Sequence, residues 1–100
     1  MDNKKLRPLA KLASEYYGVS LDKLMSGSRL RQHVLPRRCC MYIAFDAGYT
    51  RRDIAEFWKC DRSTVHTACN KYADEISVDP KTKKQLIQFS EFVKRFLDKT

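Results

Sequence analysis

Three glycines and three prolines are the only chain breakers in 100 residues, and each sits at or near a place where a helix would start or stop. So few turn formers leave long uninterrupted stretches, and none of these alternates with period two for long enough to make a strand. In LRPLAKLASEYYG, Leu9, Leu12, Ala13 and Tyr16 recur at helical spacing, and Gly18 is placed to close the run in a left-handed cap. Ser20 can cap a short helix through SLDKLM, with Asp22 in its first turn. The apolar pattern lapses from Ser26 to His33, and Pro36 then suits the first position of the helix PRRCCMYIAFDAG, closed by Gly48. Apolar side chains wrap most of that helix, which marks it for the centre of the fold. Thr50 and Asp53 resemble a capping box opening TRRDIAEFW, Asp61 caps the next helix, and Asp79 with Pro80 starts a last one whose apolar face is Leu86, Phe89, Val93, Phe96 and Leu97. The expected fold class is all-α, a compact bundle of about six helices in one domain over residues 1–100. Within it a basic N-terminal arm is expected over 1–8, a helix-turn-helix over 50–76 and a C-terminal helix over 80–98.

Twenty Lys and Arg against 12 Asp and Glu give a formal net charge of +8. That balance favours a polyanionic partner, nucleic acid or an anionic membrane, without choosing between them. No apolar run approaches the roughly 20 residues that span a bilayer, and the start MDNKKLRPLAKLASEYY lacks the apolar core of a secretory signal, so the cytoplasm is the expected location and no membrane partner is expected. Without an export signal the four cysteines read as reduced thiols. Cys39, Cys40, Cys60 and Cys69, taken with His33 and His66, offer no short paired spacing for zinc, and neither metal nor cofactor is expected. There is no G-x-x-x-x-G-K-[ST] phosphate loop, and Cys69 and His66 project in different directions from one helix with no third group to orient a base. The chain does not read as an enzyme.

The segment CDRSTVHTACNKY carries the functional signal. At about 100° per residue, Val65, Ala68, Cys69, Tyr72 and Ile76 share one helical face, while Ser63, His66, Thr67 and Asn70 take the other side. Only Lys59 and Cys60 separate the preceding short helix from Asp61, and this turn has no glycine. Two short helices joined tightly, the second rich in outward hydrogen-bonding groups, describe a helix-turn-helix whose second helix enters the major groove of DNA.

Particular residues sharpen that pattern. The run DRSTVHTACNK resembles the signature D-H-T-T-V-x-x-A-x-x-K of the C-terminal DNA-binding domain of the bacterial replication initiator DnaA. Upstream, LASEYYGVSLDKLMSGSRLRQHVLPRRCCMYIA is similar to that domain's V-A-x-Y-Y, D-L-x-S, S-R-x-R and R-P-R-x-x-A-M-Y-L-A, in the same order and at similar spacing from about Leu12 to Lys71. The resemblance implies a helical bundle related in fold to the Trp repressor. It also implies binding to a short asymmetric box in duplex DNA, with the helix-turn-helix in the major groove and a basic loop in the adjacent minor groove.

Site roles follow residue by residue. Asp61 takes the place of the family's Asp and caps the recognition helix. Arg62 stands where the family usually has His, and can bind a phosphate or fork onto guanine. Ser63 and Thr64 match two base-contacting threonines, Ser63 lacking the methyl that could pack on thymine. His66, Thr67 and Asn70 lie further along the outward side, and Lys71 matches a lysine suited to phosphate. Arg29 aligns with the loop arginine that enters the minor groove, Arg31, Arg37 and Arg38 fit backbone roles, and Arg51 with Arg52 opens the first helix of the pair, where a phosphate can bind. The family's glycines and arginine before its Asp are replaced by Trp58, Lys59 and Cys60. The expected partner is double-stranded DNA and the expected function is site-specific regulation of transcription or replication initiation without ATPase activity. The alternative is a protein-interaction module, in which Phe89, Phe92, Phe96 and Leu97 of the C-terminal helix take a replication or transcription protein or a second copy of the chain.

Overall fold

A computed structural model describes residues 6–27 and 29–97, the side chains of Phe96 and Leu97 apart. Six helices follow one another: α1 Leu6–Tyr17, α2 Leu21–Met25, α3 Arg31–Asp46, α4 Arg51–Trp58, α5 Arg62–Val78 and α6 Pro80–Leu97. The described residues contain no strand, as the absence of period-two patterning requires.

Local signals set most of the helix ends. Ser20 Oγ accepts the Lys23 N–H at 3.3 Å and Thr50 Oγ1 accepts the Asp53 N–H at 3.1 Å, the side-chain caps expected of them. Asp79 accepts from the Thr82 hydroxyl at 2.9 Å and the Lys81 N–H at 3.0 Å, and these bonds hold its carboxyl below the usual range. Gly18 ends α1 at φ +67 with open space where a Cβ would lie, so alanine there meets backbone strain alone. Gly18→Ala is expected to cost about 1 kcal/mol and lower Tm by roughly 4–8 °C in a thermal melt followed by circular dichroism.

Two boundaries differ from the sequence pattern. Helix α3 starts at Arg31 and carries Pro36 in its interior, so Pro36 is not its first residue. Proline removes one hydrogen bond, to the carbonyl of Gln32, and that residue is exposed, so water can hydrate the orphaned oxygen. The turn ahead of it is anchored: the Leu30 carbonyl accepts the N–H groups of His33 and Val34, each at 2.9 Å, and His33 is buried. The basic arm expected over 1–8 gives way to α1 at Leu6, whose side chain is fully buried. Residues 1–5 lie outside the described residues.

Helix α3 packs against α1, α2, α4 and α5, as its apolar circumference predicts, and buries Cys39, Cys40, Met41 and Ala44. Helix α6 closes the bundle over α1 and α5: Phe89 is fully buried, with its ring centroid 5.2 Å from Tyr16 and 5.6 Å from Tyr17. Phe92 is half-buried against the same core, so both phenylalanines take part in packing α6 on the bundle, while the side chains of Phe96 and Leu97 are outside the described residues. No described helix is long and apolar enough to cross a membrane.

Candidate nucleic-acid interface

Helix α5 is anchored by its inner face and presents its outer one. Val65, Ala68 and Tyr72 are buried and Cys69 and Ile76 half-buried, whereas Arg62, Ser63, Thr64, His66, Thr67, Asn70 and Lys71 are exposed. The 3.6-residue repeat thus separates attachment from display.

An open cleft lies along this outer face. Arg29 enters it from the α2–α3 loop, Arg31, Arg37 and Arg38 from α3, Lys59 from the α4–α5 turn, and Ser63, Thr64, Thr67 and Lys71 from α5. Six of these side chains are cations and no Asp or Glu lines the cleft, an arrangement that focuses positive potential beside the hydroxyls of Ser63, Thr64 and Thr67. A second depression gathers Arg51 and Arg52 of α4 with Arg62, Ser63 and His66 of α5. Ser63 belongs to both, so the first turn of α5 forms a ridge between two basic hollows. On the second side the Arg51 guanidinium lies 5.2 Å from the centre of the Phe45 ring, and Arg52 lies 3.5 Å from Glu56, an exposed pair worth little in stability.

Several predicted residues have other work in the free protein. Arg37 Nε donates to the Leu24 carbonyl at 2.8 Å and its guanidinium reaches the Lys23 carbonyl at 3.3 Å, fastening the end of α2 to α3. Burial pushes the Arg37 guanidinium below its ordinary value, and it stays cationic in a protein at any working pH. Arg31 is paired with Glu75, which bridges the start of α3 to α5. Asn70 Nδ2 is 3.1 Å from His66 Nε2, one helical turn away, and neither Asn70 nor Asp61 lines either hollow. Asp61 holds the backbone position of an N-cap, but its carboxylate accepts no capping hydrogen bond, which corrects the expected side-chain cap. Lys59 also lines the cleft, and the one signal for it in the sequence is a turn without glycine. Among the described residues no three His, Cys, Asp or Glu side chains converge to hold a metal ion.

Comparison with known proteins agrees with this geometry. The sequence model of the family described as the bacterial dnaA protein helix-turn-helix matches residues 9–71, from α1 into α5. The chromosomal replication initiator protein DnaA of Chloroflexus aurantiacus is 26% identical over 87 residues, covering 83% of this chain and 18% of that protein. Its counterpart in Lactobacillus delbrueckii subsp. bulgaricus is 29% identical over 90 residues, covering 87% of this chain and 20% of that protein. The chain thus corresponds to about a fifth of the length of these relatives. With its six-helix bundle, the chain belongs to the bacterial DnaA helix-turn-helix family, a family of DNA-binding modules and not of enzymes.

Proposed function

We propose that this chain binds double-stranded DNA at a preferred sequence and acts in the control of transcription or replication initiation. The observation that carries the reading is the cleft in which six cations and the hydroxyls of Ser63, Thr64 and Thr67 share one continuous surface. Helix α5 lies in the major groove, where Arg62, Ser63, Thr64 and Thr67 meet base edges. Arg29 reaches the adjacent minor groove, where a narrow A·T-rich stretch concentrates negative potential. Arg38, Lys71, Arg51 and Arg52 take phosphates on either side of the ridge, and Arg31 joins them when it exchanges Glu75 for DNA. Arg37 acts mainly by positioning the loop that carries Arg29. The relatives are named as replication initiators, which supports a role at initiator-type boxes.

Selection of bound sequences from a random duplex library tests this directly. A short asymmetric motif is expected to emerge, and a pool that stays unenriched would sink the proposal. On the selected site, Thr64→Ala is expected to cost about 1–3 kcal/mol and to relax preference at one or two base pairs. Lys71→Ala should instead weaken all sequences alike and make the salt dependence shallower by about one phosphate's share. A uniform loss for Thr64→Ala would remove that residue from base readout.

A further inference from the structure

The turn from α4 into α5 holds a residue in a backbone conformation that costs it free energy. Lys59 has φ 55 and ψ 49, and no other described non-glycine residue has positive φ. The reversal imposes this shape: the Lys59 N–H reaches the Glu56 carbonyl at 3.3 Å while the Cys60 N–H reaches the Ala55 carbonyl at 3.0 Å, the paired bonds that close a helix through one left-handed residue. Glycine makes the same bonds without the clash between Cβ and carbonyl. The chain uses glycine in positive-φ conformations after α1 and α3, Gly18 at φ 67 and Gly48 at φ 107. Among the described residues, only after α4 does a side chain occupy such a position.

What distinguishes this helix end is where it opens. Lys59 is exposed and lines the basic cleft, between buried Trp58 and half-buried Cys60, which hold the turn on the core. Arg31 and Arg37 in the same cleft are engaged by Glu75 and by the Lys23 and Leu24 carbonyls. Lys59 makes no ion pair among the described residues, so its ammonium meets an incoming anion without first leaving a partner. It also stands directly before the first turn of α5, where Ser63 and Thr64 face the cleft.

We propose that Lys59 binds a DNA backbone phosphate beside the first turn of α5, and that this contact accounts for lysine at a backbone position suited to glycine. The inference rests on the double-stranded DNA reading above. In it Lys59 is a positioning residue: it fixes the register of α5 on the duplex and carries no sequence information itself.

The test pairs thermal melts with binding to the library-selected duplex over a salt series, for the parent chain and for Lys59→Gly, Lys59→Asn and Lys59→Arg. Glycine and asparagine both accept the left-handed conformation and remove the charge. Both variants are expected to melt at or above the parent Tm, to bind about 3- to 10-fold more weakly at moderate salt, and to flatten the slope of log K against log salt by about 0.9, with Lys59→Arg keeping the parent slope. Preference among sequences should be unchanged. If both neutral variants bind with the parent's slope, the assignment of Lys59 is overturned while DNA binding stands. A parent chain that binds no duplex overturns the DNA reading, and this inference with it.

Discussion

Above pH 9 the chain is expected to lose stability. Cys39 and Cys40 are adjacent on the central helix α3, both fully buried, and a thiolate there has no water to solvate it. Burial raises the Cys39 thiol above its ordinary 9.0, partly offset by the hydroxyls of Tyr72 and Tyr17. Burial raises Cys40 well above 9.0, with Cys39 adding to the effect. The phenols of Tyr17 and Tyr72 are also pushed up from 10.0, by burial first and by the neighbouring Cys39 second. All four groups are weaker acids folded than unfolded. Their protonated forms therefore favour the fold fully below pH 9, and that contribution falls as the unfolded chain begins to release protons, from the thiols above 9 and from the phenols above 10. Each thiol removes stability, at up to about 1.4 kcal/mol per pH unit, wherever the unfolded chain has released its proton and the folded chain has not. A domain of this kind has only about 5–15 kcal/mol in total. Urea midpoints under reducing conditions should be level from pH 8 to 9 and then fall. Cys39→Ala/Cys40→Ala should flatten the segment between 9 and 10, and midpoints level to pH 11 in the parent would show that the thiols are not shielded as the packing indicates.

Phe89→Ala is expected to cost about 3–5 kcal/mol, the penalty for emptying a fully enclosed aromatic site. The ring lies against Tyr16 and Tyr17 and, at 6.5 Å between centroids, stacks with Phe92. Its removal leaves α1 and α6 facing a void. Phe92, half-buried, should lose about half as much on the same change. Denaturant midpoints for the two variants give the comparison directly. The experiment also decides what α6 is for, since that helix lies beyond the matched residues 9–71. A cost below about 1 kcal/mol for Phe89→Ala would make α6 an appendage and return it to candidacy as a docking surface.

How far the fold was legible depended on the range of the interactions that set it. Ser20, Thr50 and Gly18 act on atoms within a few residues, and each was placed by pattern alone. Period sufficed again for α5, because one inward stripe of Val65, Ala68 and Tyr72 fixes which way Ser63 and Thr67 must face. Pro36 misled because proline is a strong local signal, and its cost in α3 is offset by anchoring from Leu30 and His33 that no pattern displays. Arg31 and Glu75 are 44 residues apart, so their pairing could be seen only once α3 and α5 were packed. The same holds for Arg37, whose bonds to α2 give it a positioning role. Lys59 was hidden for another reason: a left-handed residue is expected from glycine, and here the geometry was met by a residue with no such preference.

The bonds from Arg37 to the α2 carbonyls have a consequence for the loop that presents Arg29. At its far end the same loop runs into the Leu30 carbonyl, which accepts two N–H groups of α3. The carbonyls of Leu24 and Leu30, on either side of Arg29, are therefore two fixed piers. Immobilising a free backbone costs about 1–2 kcal/mol per residue, and fixed piers narrow the positions open to Arg29, so part of that cost falls when the chain folds rather than when it meets DNA. Cutting one pier, by removing the guanidinium of Arg37, would leave Arg29 in place chemically while handing its entropy back to the encounter.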